Sequence, residues 1–252
     1  MSTALTALAG REVLRVLKLW TQTILAPVAS SFLFILVFGL SRGGRIKQVE
    51  GVEYQVFIVP GLVTMAMAQA AYSNNAASVF GARFDRFIND VLAAPMRAWE
   101  INLGLSLGGV VRAMLIGISL TALAIPVTSV PIRQPAELVL AVALSLALFS
   151  SLGVIVGIYA TSWDFTGFVN NLIILPLTFL GGVFYSVSTL PSPWQEISHA
   201  NPIFFLINAV RYGFLGSSDV PVGIALLVTA AFALLFSVWS AWLFRTGRRL
   251  KP

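Results

Sequence analysis

The longest charged interruption of this hydrophobic chain, residues 78–97, has the side chains of a binding surface. Read as a helix of about 100° per residue, it carries an apolar stripe made of Phe80, Phe84, Phe87, Ile88 and Val91. A second stripe contains Arg83, Arg86 and Asp90, and the last two are spaced as an i,i+4 ion pair. Pro95 ends the predicted helix. Such a helix at a membrane face suits either a surface anchor or a docking site for another protein, and the residues alone leave both open.

Arg112 is a single charge within a long apolar segment, residues 101–125. It lies roughly 16 Å into that segment at about 1.5 Å per residue, which is close to mid-bilayer. A charge at that depth costs about 2.5–3.5 kcal/mol, so it must face protein or water. One interpretation is a cavity lining that meets an anionic or polar part of a cargo. The other is a structural pair with a helix C-terminus or with the polar side chains of Gln69, Asn74, Asn170 or Asn171.

The sequence contains no catalytic or metal-binding constellation. Cysteine is absent, the single histidine is His199, and no carboxylate lies deep in an apolar segment. A membrane-embedded hydrolase would need such groups, so no catalytic residue and no metal ligand is predicted. A G-x-x-x-x-G-K-[ST] phosphate loop is also missing from the sequence, so any ATP that drives this protein must be bound by another chain.

The composition predicts an all-α integral membrane protein. Hydrophobic residues make up 58% of the 252 residues and charged residues only 10%, with a mean hydropathy of +0.88. Ordinary soluble domains carry about 25% charged residues. Long apolar runs in a bilayer must be helices, because every backbone polar group has to be paired within the segment. No linker or repeat interrupts the chain, so residues 1–252 are predicted to form one transmembrane domain. The scattered basic residues do not suggest nucleic-acid binding.

Six membrane spans are predicted, over about residues 23–40, 55–72, 101–125, 137–159, 166–182 and 222–244. Residues 3–19 mix leucines with arginines and indicate an interfacial helix. A cleaved signal peptide is the rival interpretation, but this region is long and contains an acid. Pro126, Pro131 and Pro135 indicate a short loop between the third and fourth spans.

The basic residues predict the orientation. Six spans put both termini and residues 78–97 on the same side of the membrane. Ten basic residues then lie on that side: Arg11, Arg15, Lys18, Arg83, Arg86, Arg97, Arg245, Arg248, Arg249 and Lys251. The other side holds five: Arg42, Arg45, Lys47, Arg133 and Arg211. The positive-inside rule therefore predicts cytoplasmic termini and a cytoplasmic position for residues 78–97.

Residues 181–216 lie on the outer side of this topology, although they are strongly apolar. Pro191, Pro193 and Pro202 divide them into pieces too short to cross about 30 Å of hydrocarbon. They are predicted to form re-entrant helices, with a plain interfacial loop as the alternative. Asn201 is the expected N-cap of a helix that begins at Pro202.

Several stretches together resemble the membrane subunit of bacterial type-2 ABC transporters, the permease family of drug, nodulation-factor and polysaccharide exporters. The most specific are residues 57–62 (FIVPGL), 92–95 (LAAP), 179–185 (FLGGVFY) and 201–216. The resemblance covers nearly the whole chain. It implies a bacterial cytoplasmic-membrane protein in which two permease copies, identical or different, pair above two ABC ATPase subunits that bind ATP and Mg.

The resemblance also implies site residues. Residues 78–96 would be the coupling helix, with Phe80, Phe84 and Phe87 as an aromatic anchor and Arg83, Arg86 and Asp90 at its rim. A cargo pathway at the interface of the two permease copies, lined mainly by spans two and five, is predicted to contain Arg112. Residues 179–185, with Phe179, Phe184 and Tyr185, and the re-entrant segment would gate its outer end. Alternating access would export an amphipathic, lipid-like or drug-like cargo. The alternative is an ion-coupled secondary transporter of a hydrophobic solute, although the carboxylates and inverted repeats typical of such proteins are missing from the sequence.

Overall fold

The computed structural model describes residues 3–40, 48–49 and 51–250. In these ranges six helical segments are long and apolar enough to cross a membrane: Thr21–Phe38, Tyr54–Phe84, Ala98–Thr128, Pro135–Tyr159, Trp163–Leu180 and Val222–Thr246. The predicted all-α architecture with six spans is therefore confirmed. Two antiparallel two-residue strands, β1 (Gln48–Val49) and β2 (Val52–Glu53), are the sheet structure of the described residues.

The N-terminal helix α1 (Thr3–Lys18) packs along the third span instead of lying only on a lipid surface. Leu5 and Leu8 are buried in that contact, and Gly104 of the third span admits them because a Cβ there would approach Leu8 within 2.8 Å. The first span follows as a π-helical turn, Thr21–Leu25, that continues into α2 (Ala26–Leu40).

The second span, α3 (Tyr54–Phe84), is longer than predicted and is the central helix of the bundle. It packs mainly on the third and fourth spans, and 83% of its most apolar window is buried. The prediction of a span at residues 55–72 and a separate helix from residue 78 is wrong. Asn74 and Asn75, which lie between the two predicted helices, are buried and form hydrogen bonds. Their polar side chains therefore do not require the helix to end there.

The helix predicted for residues 78–95 is divided at Arg86. Its first part is the end of α3, and the chain then turns at Arg86, which has a left-handed φ of 58°. A short helix, α4 (Ile88–Ala93), follows before Pro95. The prediction of a single amphipathic helix is therefore wrong. The left-handed conformation of Arg86 interrupts the helix, so the apolar residues before and after it no longer share one face.

The third and fourth spans are α5 (Ala98–Thr128) and α6 (Pro135–Tyr159). The predicted loop between them begins later than expected, since Pro126 lies inside α5. Ser129 ends α5 with a left-handed φ of 53°. Pro135 occupies the first turn of α6, where its missing N–H has no intrahelical partner to lose.

The fifth span consists of α7 (Trp163–Val169), a π-helical turn (Asn170–Ile174) and α8 (Leu175–Leu180). Pro176 lies directly after the π turn, at the start of a new hydrogen-bonding register. The sixth span is α11 (Val222–Thr246).

Between these spans lie a 3-10 turn (Val187–Thr189), α9 (Ser192–His199) and α10 (Pro202–Leu215). The 14 residues of α10 extend about 21 Å, too short to cross a bilayer. The helix packs against α3, α6 and α11. Its predicted cap is confirmed, because the Asn201 side chain accepts a hydrogen bond from the Ile203 amide. A re-entrant position of α9 and α10 in the membrane stays a prediction.

Candidate transport cavity and partner-contact residues

A cavity of about 780 Å³ lies between α2, α3 and the fifth span. Its walls are mixed in chemistry. Polar side chains line one part of it: Gln22, Ser30, Ser31, Gln69, Ser73, Arg112 and Asn170. Phenylalanines line the part near residues 179–184: Phe34, Phe38, Phe179 and Phe184. The cavity can accommodate a molecule that has both a polar and an apolar part.

Arg112 reaches this cavity from α5. Its Nε donates a hydrogen bond of 2.9 Å to the carbonyl of Thr23 in the π-helical turn before α2. The guanidinium thus binds a backbone carbonyl and also lines the cavity, while contact of Arg112 with a cargo stays a prediction. Of the suggested polar neighbours, Gln69 and Asn170 line the same cavity, whereas Asn74 hydrogen-bonds to Arg15.

Four aromatic rings form a continuous row at the other end of the cavity. The ring centroids are 6.0 Å apart for Phe34 and Phe38, 5.6 Å for Phe38 and Phe184, and 5.7 Å for Phe179 and Phe184. The structure therefore brings Arg112, Phe179 and Phe184 to one cavity. Tyr185 lies outside its lining and is half-buried elsewhere, where burial raises the pKa of its phenol.

The loop after α8 is held in place by Arg211 of α10, whose role the sequence reasoning missed. Arg211 is 1% exposed, donates to the carbonyl of Gly182, and lies 4.1 Å from the ring centroid of Phe57. Gly61 allows the same loop to approach, since a Cβ there would come within 2.9 Å of Val183. The signal available in the sequence was a charge in the middle of an apolar 14-residue helix.

The opposite end of α3 contains the residues predicted to contact an ATPase, and they have different environments. Phe80 is buried in an edge-to-face contact with Trp163 at 4.8 Å, whereas Phe84 is 67% exposed. Phe87 is partly buried beneath Arg11, whose guanidinium lies 4.0 Å from its ring centroid. The three phenylalanines do not form the single stripe predicted, because α3 ends between Phe84 and Phe87.

The predicted rim charges also separate. Arg83 turns into the bundle and donates to the carbonyls of Gly157 and Ala160 at 3.1 Å each, at the end of α6. Arg86 and Asp90 are exposed, and in the part of the chain that the structure describes they form no ion pair with each other. Phe84, Arg86 and Asp90 are therefore the members of the predicted set that a partner can reach, with Phe87 partly accessible.

A buried carboxylate joins α1 to this end of α3. Glu12 is 1% exposed, pairs with Arg11 and Arg15, and accepts a hydrogen bond of 2.7 Å from Ser78. From the sequence, Glu12 was predicted only to lie on an interfacial helix, and this contact was not predicted. The available signal was a glutamate with an arginine directly before it and another three residues after it.

Asn75 ties together the three central helices within the membrane-spanning region. Its amide nitrogen donates to the carbonyls of Ser106 in α5 and Ser150 in α6, each at 3.3 Å. Its oxygen accepts from the Gly109 amide at 3.0 Å, a contact that a side chain at residue 109 would block. In the described residues no group of three or more His, Cys, Asp or Glu side chains is placed to hold a metal ion.

Six apolar helices long enough to cross a membrane define a multi-pass membrane protein, and a cavity with polar and aromatic walls lies between the first, second and fifth spans. The model of the family "ABC-2 type transporter" matches residues 3–215, and the chain belongs to that family. The resemblance inferred from the sequence motifs is thus confirmed, and the protein is a transmembrane subunit of an ABC transporter.

Two relatives illustrate the family. The chain is 38% identical over 252 residues to the inner membrane transport permease YadH of Escherichia coli K12, covering 98% of this chain and 97% of the relative. It is 28% identical over 239 residues to nodulation protein J of Rhizobium meliloti, covering 93% of this chain and 89% of the relative. These likenesses and the six apolar helices support a multi-pass protein of the inner membrane.

Proposed function

We propose that this chain forms half of the membrane body of an ATP-driven exporter. Two permease copies, identical or different, pair, and two separate ATPase subunits bind ATP and Mg²⁺ beneath them. Membership of the family and the missing phosphate loop support the assignment of transport to this chain and of ATP binding to a separate chain. The termini and the end of α3 face the cytoplasm, which the excess of basic residues there supports.

The observation that carries the proposal is the cavity between α2, α3 and the fifth span. Arg112 and its neighbouring amides and hydroxyls suit a polar or anionic headgroup, and the row of phenylalanines suits an apolar tail. The cargo is therefore amphipathic, in the class of lipid-like or drug-like molecules. Spans two and five line its pathway, and Phe179 and Phe184 close the outer end, with Tyr185 behind them.

The helix α3 connects the cavity to the residues proposed to contact the ATPase. Its 31 residues extend about 46 Å without interruption from Tyr54 to the exposed Phe84, and Phe57 near its start lies beneath Arg211. An ATPase that binds Phe84, Phe87, Arg86 and Asp90 would tilt α3 as one body. The cavity would then change from inward-facing to outward-facing, because α3 forms one of its walls. Phe80 and Arg83 would support this contact from inside by joining α3 to α7 and α6.

The test uses the purified permease reconstituted into vesicles with a candidate ABC ATPase that co-purifies with it. We expect ATP-dependent movement of a fluorescent amphipathic lipid and none with ATP omitted. Phe84→Ala removes the most exposed ring of the contact region and should weaken ATPase binding and transport together. Ile118→Ala is the control, because Ile118 is 60% exposed on α5 and is not among the residues predicted to contact the ATPase.

Two outcomes would contradict the proposal. Transport driven by an ion gradient in vesicles that contain the permease alone would indicate a secondary transporter. Unchanged ATPase binding after replacing Phe84 and Phe87 together would show that the ATPase contacts another part of the surface.

A further inference from the structure

A second pocket, of about 400 Å³, lies beside the end of α3 and is separate from the transport cavity. Its lining includes two arginines that are distant in sequence, Arg83 and Arg249, together with Tyr159 and Thr161. No acidic residue lines it. Within residues 3–40, 48–49 and 51–250, the carboxylate-bound arginines at this end of the molecule are Arg11 and Arg15, and neither Arg83 nor Arg249 contacts a carboxylate. Among the described residues, the pocket thus combines two positive charges with no counter-ion.

The backbone after α11 holds Arg249 in this position. Arg249 has a left-handed φ of 56°, which residues with a side chain rarely adopt. The next residue, Leu250, is fully buried in the apolar cluster at this end of the bundle. Burial of Leu250 therefore fixes the turn and places the Arg249 guanidinium 4.9 Å from the ring centroid of Tyr159.

Arg83 is fixed as well, but one of its donors is unused. One terminal nitrogen of its guanidinium bonds to the carbonyls of Gly157 and Ala160. Its Nε is buried and has no hydrogen-bond partner among the described residues. A buried donor without a partner costs free energy, so an acceptor that entered the pocket would relieve that cost.

One wall of the pocket continues into an apolar surface. The ring of Tyr159 lies 6.3 Å from that of Trp239 in α11. Trp239 is 40% exposed, and Val238 and Leu235 on the same helix are 59% and 57% exposed. This is the composition of a membrane-facing helix surface with an aromatic residue near its polar end. A ligand that bound both features would have an anionic head and an apolar tail.

We propose that this pocket binds the phosphate headgroup of an anionic phospholipid of the inner leaflet, whose acyl chains lie against α11. Arg249 and Arg83 bind the phosphate, and the hydroxyls of Tyr159 and Thr161 complete its hydrogen bonds. Basic pockets between transmembrane helices on the cytoplasmic side suit such headgroups. An acidic segment of the ATPase would account for the arginines and for Phe84, which also lines the pocket, but not for the exposed apolar surface of α11 next to Tyr159.

The test measures the thermal unfolding of the purified full-length protein in detergent while short-chain phosphatidylglycerol is added. We expect a concentration-dependent rise in the unfolding temperature, since a ligand of the folded state stabilises it. Phosphatidylcholine of the same chain length and free glycerol phosphate should produce much smaller shifts. Arg249→Gln should raise the half-saturating concentration of phosphatidylglycerol roughly tenfold, because a charge-assisted hydrogen bond is lost.

Arg133→Gln is the matched control, because Arg133 is an exposed arginine of the loop between α5 and α6 and does not line the pocket. Its response to phosphatidylglycerol should equal that of the unaltered protein. Equal shifts with phosphatidylcholine, or an unchanged response of Arg249→Gln, would overturn the proposal. A full response to glycerol phosphate would show a phosphate site that does not require a lipid. Loss of ATPase binding by Arg249→Gln with lipid binding intact would identify a protein contact instead.

Discussion

The Glu12 carboxylate and the Ser78 hydroxyl are 2.7 Å apart, although 66 residues separate them in the sequence. Arg11 and Arg15 flank the same carboxylate, and Arg11 also covers the ring of Phe87. One buried acid thus links α1, the end of α3 and the turn that follows it. A movement of the end of α3 and the turn after it must carry α1 with it or break this group of contacts.

Glu12→Gln should lower the free energy of unfolding by about 1–3 kcal/mol. The amide keeps the shape and one acceptor for Ser78, but it leaves two half-exposed arginines without their counter-ion. Thermal or denaturant unfolding in detergent measures the loss. The comparison variant is Glu196→Gln, which removes an exposed carboxylate from α9 and should change stability little. Equal effects of the two substitutions would contradict a special role for Glu12.

Arg211→Gln should loosen the loop after α8. The substitution removes the stacking on Phe57 and the bond to the Gly182 carbonyl, at a cost of about 1.5–3 kcal/mol for a charge-assisted contact. Hydrogen exchange should rise at Val187, whose amide bonds to Asp219 within the same outer region. Arg211→Lys keeps the charge but not the planar guanidinium that lies on Phe57. In that variant the Val187 amide should keep only part of its protection from hydrogen exchange. Unchanged exchange in both variants would show that Arg211 does not hold the loop.

Arg112→Gln should reduce transport of an anionic amphiphile roughly tenfold and affect a zwitterionic one less, since about 1.4 kcal/mol corresponds to a factor of ten. The amide can still donate to the Thr23 carbonyl, so the fold should be retained, which unfolding measurements would verify. The measurement is ATP-driven uptake of two fluorescent lipids that differ only in headgroup charge. Equal losses for both lipids would assign Arg112 a structural role alone.

Gly153→Ala should destabilise the bundle by about 1–3 kcal/mol, because its Cβ would lie 2.5 Å from the carbonyl oxygen of Tyr72. Gly223→Ala in α11 is the matched control, since a Cβ there meets no atom within 4 Å. That substitution should be neutral or stabilising by up to about 1 kcal/mol through helix propensity. Gly153→Ala should therefore unfold at a lower temperature than Gly223→Ala. The opposite order would show that α3 and α6 are less closely packed than in the structure.

Much of this protein was predictable because the bilayer limits what an apolar sequence can form. Long uncharged runs can only be helices, so the number of spans and their approximate positions followed from hydropathy and charge. Asn201 and Pro202 also predicted the start of α10 correctly, since capping depends on neighbouring residues. The family likewise followed from short motifs that occur in a fixed order.

The three-dimensional structure decided which of the chemically interesting side chains are available. Periodicity predicts one helix for residues 78–95, but the turn at Arg86 separates Phe87 from Phe84. Contact with Trp163 buries Phe80, whereas Phe84 on the same helix stays exposed. The unusual positions of Glu12 and Arg211 are visible in the sequence, but their partners, Ser78 and Phe57, could not be identified from it. The physical reason is that hydropathy and helix periodicity are properties of neighbouring residues. Burial, charge pairing and the closing of a cavity depend on helices that are distant in the sequence and become adjacent only when the bundle packs.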